Sequence, residues 1–341
     1  MNLIFKEITT KQQWEAFIQT QPQANFLQSY DWGVFHQSLG KKVFFLGVYE
    51  KGQQIGACLT IKEIAKRGTA LFIYGGPLIC WQTDYLNSLF DYLVILAKKE
   101  GCSFIRFRPA VLNSVENLIV LAKSSHLIKR APMYLTCELT TQLDLTLSLD
   151  QLLKNMRKNT RRIIKNQDKF GIRMVKSTQL SSFNKFFQFH LDLAKRQKFV
   201  PFKYQFLKKE FEAFQKDNQV LLIESWHDQK LIASAFVIFY NQEASYHYGV
   251  SSPENFKYQG SYFCQWEAIK EAKKRKLKRY NFWGIAPKEK TKHRFYNLSI
   301  FKRGFGGQEW DYLPTHDLII KPLRYAFVFL VETVRKKVRS L

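Results

Sequence analysis

The chain has 341 residues, of which 46% are hydrophobic and 24% charged, an ordinary globular composition with room for two domains and a sizeable core. Lysine and arginine number 53 against 28 acidic residues, a formal net charge of +25. This excess favours a polyanionic partner (nucleic acid, a phosphorylated substrate or an anionic membrane surface), although a generally lysine-rich host would raise it too. We expect neither a secreted nor a membrane-spanning protein, because the sequence shows no signal-peptide layout and no apolar run of spanning length.

The predicted elements of the first lobe alternate between strand and helix signals. Gly52 marks a hairpin turn, Gly75 stops a short strand and Gly101 caps a long helix. The elements are a helix–loop–helix segment over 16–38, a hairpin over 43–49 and 54–64, a strand over 70–74, a helix over 83–100 and a strand over 133–139.

The second lobe opens with a strongly amphipathic segment over 149–171, predicted as a single helix that Gly171 closes. Two more helices, over 179–196 and 204–216, precede a second hairpin. No flexible linker separates the lobes, so we expect them to pack on each other.

The two lobes repeat the same order of elements. Residues 45–108 and 221–285 both give a hairpin, a strand ending at a glycine, a helix and a strand. Tyr74-Gly75 falls against Tyr248-Gly249. The repeat predicts a duplicated α/β unit with a ligand cleft between two similar lobes.

The familiar catalytic and metal-binding motifs are missing from the sequence. The five cysteines include no C-x-x-C pair, which is typical of buried, reduced thiols in a cytoplasmic protein, and no Cys/His cluster has metal-ligand spacing. We therefore expect no metal and no cofactor. The repeated order is that of N-acetyltransferases, but neither 75–78 nor 252–261 offers the basic, glycine-rich pyrophosphate loop, so acyl-coenzyme A is disfavoured as donor.

The densest local signal is a lysine beside three glycines in the segment 299–307. Glycine permits positive φ or close approach of a ligand, and a lysine held there can stabilise a developing oxyanion. A tight turn with a solvated lysine fits the spacing equally well. The residues are Lys302, Gly304, Gly306 and Gly307.

Several segments of the chain form a recognisable set. The most specific are Y-H-Y-G-V-S at 246–251, Q-W-E-A at 265–268, Y-N-F-W-G-I at 280–285 and F-K-R-G-F-G-G at 301–307. Q-S-Y-D-W-G at 28–33 and the basic segment 156–171 accompany them. Together they closely resemble the Fem family of non-ribosomal peptidyltransferases, which move an amino acid from aminoacyl-tRNA to the stem peptide of a peptidoglycan precursor, and the resemblance covers nearly the whole chain.

The resemblance implies an α/β fold of two tandem N-acetyltransferase-like (GNAT-like) domains with a cleft between them. The first domain would comprise 1–145 with 312–341, and the second, 146–311, would be inserted in it. The chain has no space for the long helical hairpin of the larger members, so it resembles the short type that makes a single transfer.

The resemblance also implies roles for single residues. Lys302 matches the family's functional lysine, which steadies charge in the transition state. Arg196 falls where the family uses an arginine on the acceptor's phosphates, and Tyr248 matches a tyrosine of the substrate cleft. Two positions depart from the family pattern. His36 replaces a phosphate-binding lysine and is expected to contact phosphate weakly when protonated, and Arg108 replaces an acid and cannot be a general base.

The implied donor is aminoacyl-tRNA, and the implied acceptor is UDP-MurNAc-pentapeptide or a lipid-linked peptidoglycan precursor. Two basic segments, 273–279 and 288–294, precede Lys302 and are predicted to follow the phosphate backbone of tRNA. A solvated helix end is the plainer explanation of the first segment taken alone. The predicted tRNA contacts are Lys273, Lys274, Arg275, Lys292 and Arg294.

The C-terminal segment 323–334 is apolar and leads into Arg335, Lys336, Lys337 and Arg339. It predicts peripheral contact of a monomer with an anionic membrane leaflet, or else a core helix with a solvated basic tail. Two other functions stay open. One is an acyltransferase that uses another activated donor on a polysaccharide or protein amine, and the other is a basic binding protein whose active site has decayed.

Overall fold

The computed structural model describes residues 2–338, which fold into two compact α/β units. One unit contains the residues up to Leu139 together with those from Trp310 onward, and the other runs from Thr140 to Glu309. The second unit therefore interrupts the first in sequence.

Strands and helices alternate along the chain. Up to residue 130 they are β1 (Leu3–Glu7), α1 (Lys11–Ile18), α2 (Tyr30–Ser38), β2 (Val43–Glu50), β3 (Gln53–Ala65), β4 (Gly68–Tyr74), α3 (Thr83–Lys99), β5 (Phe104–Arg108), α4 (Val115–Ala122) and β6 (Ile128–Arg130). From residue 139 they are β7 (Leu139–Asp144), α5 (Leu149–Asn155), α6 (Lys158–Lys165), β8 (Arg173–Ser177), α7 (Leu180–Gln197), α8 (Tyr204–Gln215), β9 (Val220–His227), β10 (Lys230–Tyr240), β11 (Glu243–Ser251), α9 (Asn255–Tyr258), α10 (Gly260–Lys274), β12 (Arg279–Gly284), α11 (Tyr296–Arg303) and β13 (Gln308–Asp311). The chain then returns to the first unit with β14 (His316–Ile319) and α12 (Pro322–Val338).

The two sheets have the same strand order. The first is β1-β2-β3-β4-β5-β14-β6 and the second, read in the same direction, is β8-β9-β10-β11-β12-β7-β13. In each sheet an antiparallel meander leads to a parallel pair, β4 with β5 and β11 with β12, and the next strand is antiparallel again. The predicted duplication is confirmed, and it extends to the strands beyond the parallel pair.

The parallel pairs differ in how far they stay together. In the first unit the register runs from Ala70↔Phe104 to Tyr74↔Arg108, the last residues of both strands. In the second unit it runs only from Glu243↔Arg279 to Ser245↔Asn281, although β11 continues to Ser251 and β12 to Gly284. The carboxyl-terminal halves of β11 and β12 therefore separate.

The helix that joins each parallel pair carries the apolar stripe on which the sheet packs. In α3 the buried side chains recur every three or four residues, the helical period. Each buried leucine, isoleucine or phenylalanine of these stripes contributes about 1.5–3 kcal/mol by leaving water. The stripe consists of Leu86, Leu89, Phe90, Leu93 and Ala97, and α10 buries Phe263, Cys264, Trp266, Ala268, Ile269 and Ala272 in the second unit.

The prediction of a strand over 133–139 is wrong except at its last residue. Leu139 begins β7, while 133–138 form bends and loop. The amide of Ala131 donates to the carbonyl of Thr315, and the amide of Leu135 donates to the hydroxyl of the same residue. These bonds to one residue replace a ladder of strand hydrogen bonds. The prediction of buried thiols also fails at Cys80, which is exposed.

The single helix predicted over 149–171 is broken at Met156, which is extended (φ −66°, ψ 149°). The amide of Arg157 donates to the carbonyl oxygen of Gly304 at 2.9 Å, so a loop from the far end of the unit takes the hydrogen bond that a continuous helix would make. The apolar stripe survives the break, because Leu152, Met156 and Ile164 all stay in the core.

Candidate active site

Ligands of open α/β sheets bind beyond the carboxyl ends of parallel strands. In the first unit that position is filled by Gln28. Its side-chain amide donates to the carbonyl of Tyr74 at 2.7 Å, and its side-chain oxygen accepts from the amide of Leu59 at 3.0 Å. A Cβ on Gly76 would lie 2.7 Å from this side chain, so the loop after β4 closes around it. Gln28 of the Q-S-Y-D-W-G segment thus occupies the position beyond the carboxyl end of β4 where a ligand would otherwise bind.

The rest of that segment also serves the fold. The hydroxyl of Ser29 accepts from the amide of Trp32 at 3.0 Å and caps α2. A Cβ on Gly33 would lie 2.3 Å from the ring of Phe45, so only glycine allows α2 to approach β2 this closely.

In the second unit the side chain of Lys302 lies between the separated ends of β11 and β12. Its side chain is 5% exposed, and its ammonium donates to the carbonyl of Gly284, at the end of β12, at 2.8 Å. The same nitrogen lies 5.5 Å from the ring centroid of Tyr246 on β11. Lys302 therefore reaches both strands where they part, and the alternative of a solvated lysine in a tight turn is wrong, because the residue lies in the last turn of α11.

The glycines after Lys302 are explained by packing inside the unit. Gly306 has φ +82°, and a Cβ there would lie 2.3 Å from the carbonyl oxygen of Asn155. A Cβ on Gly307 would lie 2.6 Å from the hydroxyl of Thr141. The close approach that the glycines permit is that of the protein's own backbone at the α5–α6 break and β7, which holds the end of α11 in place.

Tyr248 on β11 forms a polar cluster with a carboxylate from α8. Its hydroxyl donates to Oε2 of Glu210 at 3.0 Å, and Nε2 of His247 lies 2.8 Å from Oε1 of the same residue. Glu210 is fully buried. Burial and the nearby carboxylate raise the pKa of Tyr248 well above 10, so its phenol stays protonated at neutral pH and acts as a donor.

Trp283 links this cluster to Lys302. Its φ of 63° is unusual for a bulky residue, and two hydrogen bonds hold it, from its amide to Asn281 Oδ1 and from the hydroxyl of Thr140 to its carbonyl, both at 2.9 Å. The indole meets the His247 ring edge-on, with centroids 5.2 Å apart. Gly284, which accepts from Lys302, is the next residue. We call Lys302, Tyr248, Glu210, His247 and Trp283 the β11–β12 cluster.

Sequence reasoning missed Glu210 and Trp283. Glu210 lies in an ordinary amphipathic pattern, K-K-E-F-E-A-F, in which a solvent-facing glutamate is the default expectation. The only available signal was its position on the apolar side of α8, one residue before the buried Phe211.

Arg196 lies in the last turn of α7 and is exposed. Its guanidinium donates to the carbonyl of Ser251, the last residue of β11. The structure thus brings Arg196 to the end of β11, the strand that carries Tyr248. Tyr248 lies three residues before Ser251, whose carbonyl accepts from Arg196.

The basic segment 273–279 divides into two sets of side chains. Lys273 donates to the carbonyls of Leu145 and Leu147, and Arg275 contacts Glu271 and the carbonyl of Asn218. These two predicted tRNA contacts are held by the protein itself, as is Arg279 by Glu243. The exposed residues alternate with them and are Lys274, Lys276 and Lys278.

The second basic segment lies in the loop between β12 and α11. Lys292 and Arg294 are exposed, and the Arg294 guanidinium lies 4.6 Å from the ring centroid of Phe295. Lys288 forms an ion pair with Glu309 at 2.9 Å. The loop leads directly into α11, at whose far end Lys302 lies.

His36 does not suit the predicted role of a protonated phosphate contact. The side chain is 2% exposed, and burial together with the neighbouring Lys41 lowers its pKa to about 2, so the imidazole is neutral. Nζ of Lys41 lies 3.2 Å from His36 Nδ1, and this lysine is paired with Glu63.

Arg108, the other departure from the Fem pattern, is fully buried in the first unit. It donates to the carbonyl of Pro109 at 3.1 Å, and its guanidinium lies 4.7 Å from the ring centroid of Tyr312. These contacts give it a place in the core of that unit.

Residues 2–338 contain no group of three or more His, Cys, Asp or Glu side chains arranged to hold a metal ion.

The glycine at the start of α10, like those after Lys302, is required by packing inside the unit. A Cβ on Gly260 would lie 2.3 Å from the hydroxyl of Ser225, so this glycine serves the packing of α10 on the sheet.

The FemAB family model matches residues 9–130 and 207–333, more than half of the chain. The chain belongs to the FemAB family. The matched segments include β2 to β5, β9 to β12 and the whole of α11, and they contain all five residues of the β11–β12 cluster.

The aminoacyltransferase FemA of Staphylococcus aureus is 30% identical to this FemAB-family chain over 127 residues, which are 37% of this chain and 29% of FemA. The match thus spans less than a third of that relative. Among solved structures, FemX superposes with a TM-score of 0.82 at 17% identity, over 97% of this chain and 100% of FemX. A tandem GNAT protein from the clavulanic acid biosynthesis pathway superposes with a TM-score of 0.59 at 11% identity, over 94% of this chain and 99% of its own. The predicted fold of two GNAT-like domains is confirmed.

Proposed function

We propose that this protein is an aminoacyltransferase that moves an amino acid from aminoacyl-tRNA to an amine on the stem peptide of a peptidoglycan precursor. The observation that carries the proposal is the position of Lys302, a buried cation at the parting of β11 and β12 in a chain of the FemAB family. A lysine held in this way adds positive charge at the edge where α/β sheets bind ligands.

The reaction is the aminolysis of an ester. The acceptor nitrogen bonds to the aminoacyl carbonyl carbon, the carbon–oxygen bond to the tRNA ribose breaks, the amine gives up a proton and the ribose oxygen takes one. Negative charge develops on the carbonyl oxygen in the transition state, and the Lys302 ammonium stabilises it. The reaction runs downhill and needs no covalent intermediate on the protein, and holding the two substrates in the reactive orientation lowers the barrier further.

The acceptor contacts belong to the neighbouring residues. Arg196, exposed at the end of β11, is suited to bind the diphosphate of UDP-MurNAc-pentapeptide or of a lipid-linked precursor. Tyr248 presents a protonated phenol whose direction Glu210 determines. His36 is left out of this site because its ring is neutral and buried.

The tRNA contacts are the exposed lysines of the two basic segments. In the first segment Lys274 is kept, and Lys276 and Lys278 take the place of Lys273 and Arg275. In the second segment Lys292 and Arg294 are kept. Their charges are available to phosphates, whereas those of Lys273 and Arg275 are used within the unit. We propose a cytoplasmic enzyme that works as a monomer and needs no cofactor.

The deciding experiment supplies the protein with UDP-MurNAc-pentapeptide, or the lipid-linked precursor, and one of two labelled donors. With charged tRNA, label should appear in the precursor in an amide bond. With acetyl-coenzyme A, no label should appear. Transfer from acetyl-coenzyme A alone would overturn the proposal in favour of an ordinary acyltransferase, and precursor binding without transfer from either donor would indicate a binding protein.

A further inference from the structure

The C-terminal helix α12 has apolar residues on the side that faces away from the protein. The exposed residues are spaced by four, three, four and four positions, so they form one stripe along the helix. Leu323 is 91% exposed and Leu330 is 63% exposed, whereas the other exposed leucines of the described residues reach 39–52%. The stripe consists of Leu323, Phe327, Leu330, Val334 and Val338.

The opposite side of α12 is fixed to the first unit by buried polar contacts. Glu332 is fully buried and pairs with Arg67 and with Arg106, each at 2.8 Å. The hydroxyl of Tyr325 donates to Asp317 at 2.9 Å. Rotating the helix to bury its stripe would break this network, so the apolar residues stay outward.

The exposed charges beside the stripe are all positive. Arg324, Arg335 and Lys337 are exposed, while Glu332, the single acid between Pro322 and Val338, is turned into the core. The turn between β3 and β4 adds the exposed Lys66 beside the start of α12.

A cavity of about 500 Å³ opens where this turn meets the first turn of α12. Its lining combines cations with apolar side chains of the stripe, a composition suited to the phosphate and the glycerol part of a lipid headgroup. The lining residues include Lys66, Arg67, Ser103, Leu323, Arg324 and Phe327.

We propose that α12 lies on an anionic phospholipid surface, with its stripe among the acyl chains and a lipid phosphate in the adjoining cavity. Apolar residues flanked by cations are the pattern of helices that lie in the membrane interface. Within residues 2–338 no helix has the length and apolarity to cross a bilayer, so the attachment is peripheral. A second copy of the chain is a poorer occupant, because it would bring the same unbalanced positive charges against each other.

The sequence predicted membrane contact at this same segment, 323–334, together with its basic tail. The basic tail, Arg335 to Lys337 with Arg339, was expected to hold the membrane by charge, and Arg339 lies outside the described residues. Here the stripe and the cavity at the start of α12 carry the attachment, and the proposal does not depend on the donor or acceptor of the transfer reaction.

The test compares binding of the full chain to vesicles of phosphatidylcholine with and without phosphatidylglycerol. The variant Leu323→Ser/Leu330→Ser should bind the anionic vesicles about tenfold more weakly or worse. Lys66→Gln/Arg324→Gln should also bind more weakly and lose most of the preference for phosphatidylglycerol, since each basic residue near an anionic surface contributes separately.

Matched controls come from exposed residues elsewhere. Ile95→Ser/Val200→Ser removes two apolar residues of similar exposure, and Lys203→Gln/Lys216→Gln removes two exposed charges of the second unit. Both control variants should bind like the original chain, and thermal unfolding should show that all four variants are folded. Unchanged vesicle binding by Leu323→Ser/Leu330→Ser would overturn the proposal. So would a dimer in sedimentation that this variant abolishes.

Discussion

The ammonium of Lys302 and the carbonyl of Gly284 lie 2.8 Å apart in a hydrogen bond that joins the end of α11 to the end of β12. The two residues lie on either side of the basic loop 288–294, so this bond ties together the two elements that the loop connects. The same bond means that Lys302 has a structural contact as well as its proposed catalytic one, and its tests must separate the two.

Lys302→Met should leave the protein folded and reduce the transfer rate on the order of a hundredfold, because the oxyanion loses its positive charge. Lys302→Arg keeps the charge and should lose less. Single-turnover transfer from charged tRNA measures the rate, and urea denaturation measures the cost of losing the Gly284 bond, about 1–3 kcal/mol. If the variant is slower only by the fraction of molecules that urea denaturation shows to be unfolded, the catalytic role is contradicted.

Tyr248→Phe should raise the KM for the acceptor and destabilise the unit by about 1–3 kcal/mol, because Glu210 loses a donor while staying buried. If Glu210 acts by directing Tyr248, Glu210→Gln added to Tyr248→Phe should raise KM no further. Additive effects of the two substitutions would instead mean that Glu210 contacts substrate separately. Tyr204→Phe, which removes an exposed phenol contact with Asn184, serves as the control.

Reversing the three exposed charges of the first basic segment should weaken tRNA binding and leave precursor binding unchanged. The variant is Lys274→Glu/Lys276→Glu/Lys278→Glu, and the slope of log K against log salt should fall by about two to three. Reversal of Lys98, Lys99 and Lys123, which are also exposed, changes the net charge equally and should have a smaller effect. Equal effects of both triple variants would mean that tRNA responds to the net positive charge of the protein and does not contact this segment specifically.

His36 should make the protein less stable in mild acid. Its pKa is lowered to about 2 in the folded state against about 6.5 unfolded, so below pH 6.5 the unfolded chain binds a proton that the folded one refuses. The stability present above pH 6.5 falls as the pH drops, by about 2 kcal/mol between pH 7 and pH 5. Urea denaturation of the original chain and of His36→Phe at both values should show a smaller loss in the variant. Identical losses would mean that the buried ring does not resist protonation.

Gly306→Ala should destabilise the second unit severely, because its Cβ would lie 2.3 Å from the carbonyl oxygen of Asn155 at a φ of +82°. Gly40→Ala has nearly the same backbone angle, φ +78°, but nothing lies within 4 Å of its Cβ. That control should cost only about 1 kcal/mol. Thermal unfolding of both variants separates the steric effect from the backbone effect, and similar losses would show that the contact with Asn155 relaxes easily.

The sequence was enough to predict the repeated order of elements, because strands and helices with one buried face leave periodic patterns. It also led to Lys302, whose neighbours are unusual in composition. It could not predict the break at Met156, since the cause is a hydrogen bond from Arg157 to Gly304, 147 positions further along the chain. Contacts between distant segments leave no local pattern.

The same limit explains the errors at the site. Lys273 and Lys274 are adjacent lysines, yet one is bonded to backbone carbonyls and the other is exposed. Glu210 looks like a surface acid in the sequence, but α8 packs on the sheet and brings its carboxylate to Tyr248 and His247. Conversely, the glycines beside Lys302 suggested room for a ligand, and the structure fills that room with Asn155 and Thr141.

The place of β14 in the first sheet has a consequence for how the chain folds during synthesis. This strand pairs with both β5 and β6, and it is made only after the whole second unit. Arg106 on β5 also waits for its two carboxylates, Asp317 and Glu332. Because domains fold as units while the chain emerges, the ribosome releases a finished second unit ahead of an unfinished first one, whose exposed strand edge and unpaired buried cation make it the more vulnerable to aggregation. Truncations before His316 should therefore yield chains whose second unit resists proteolysis while the first is digested.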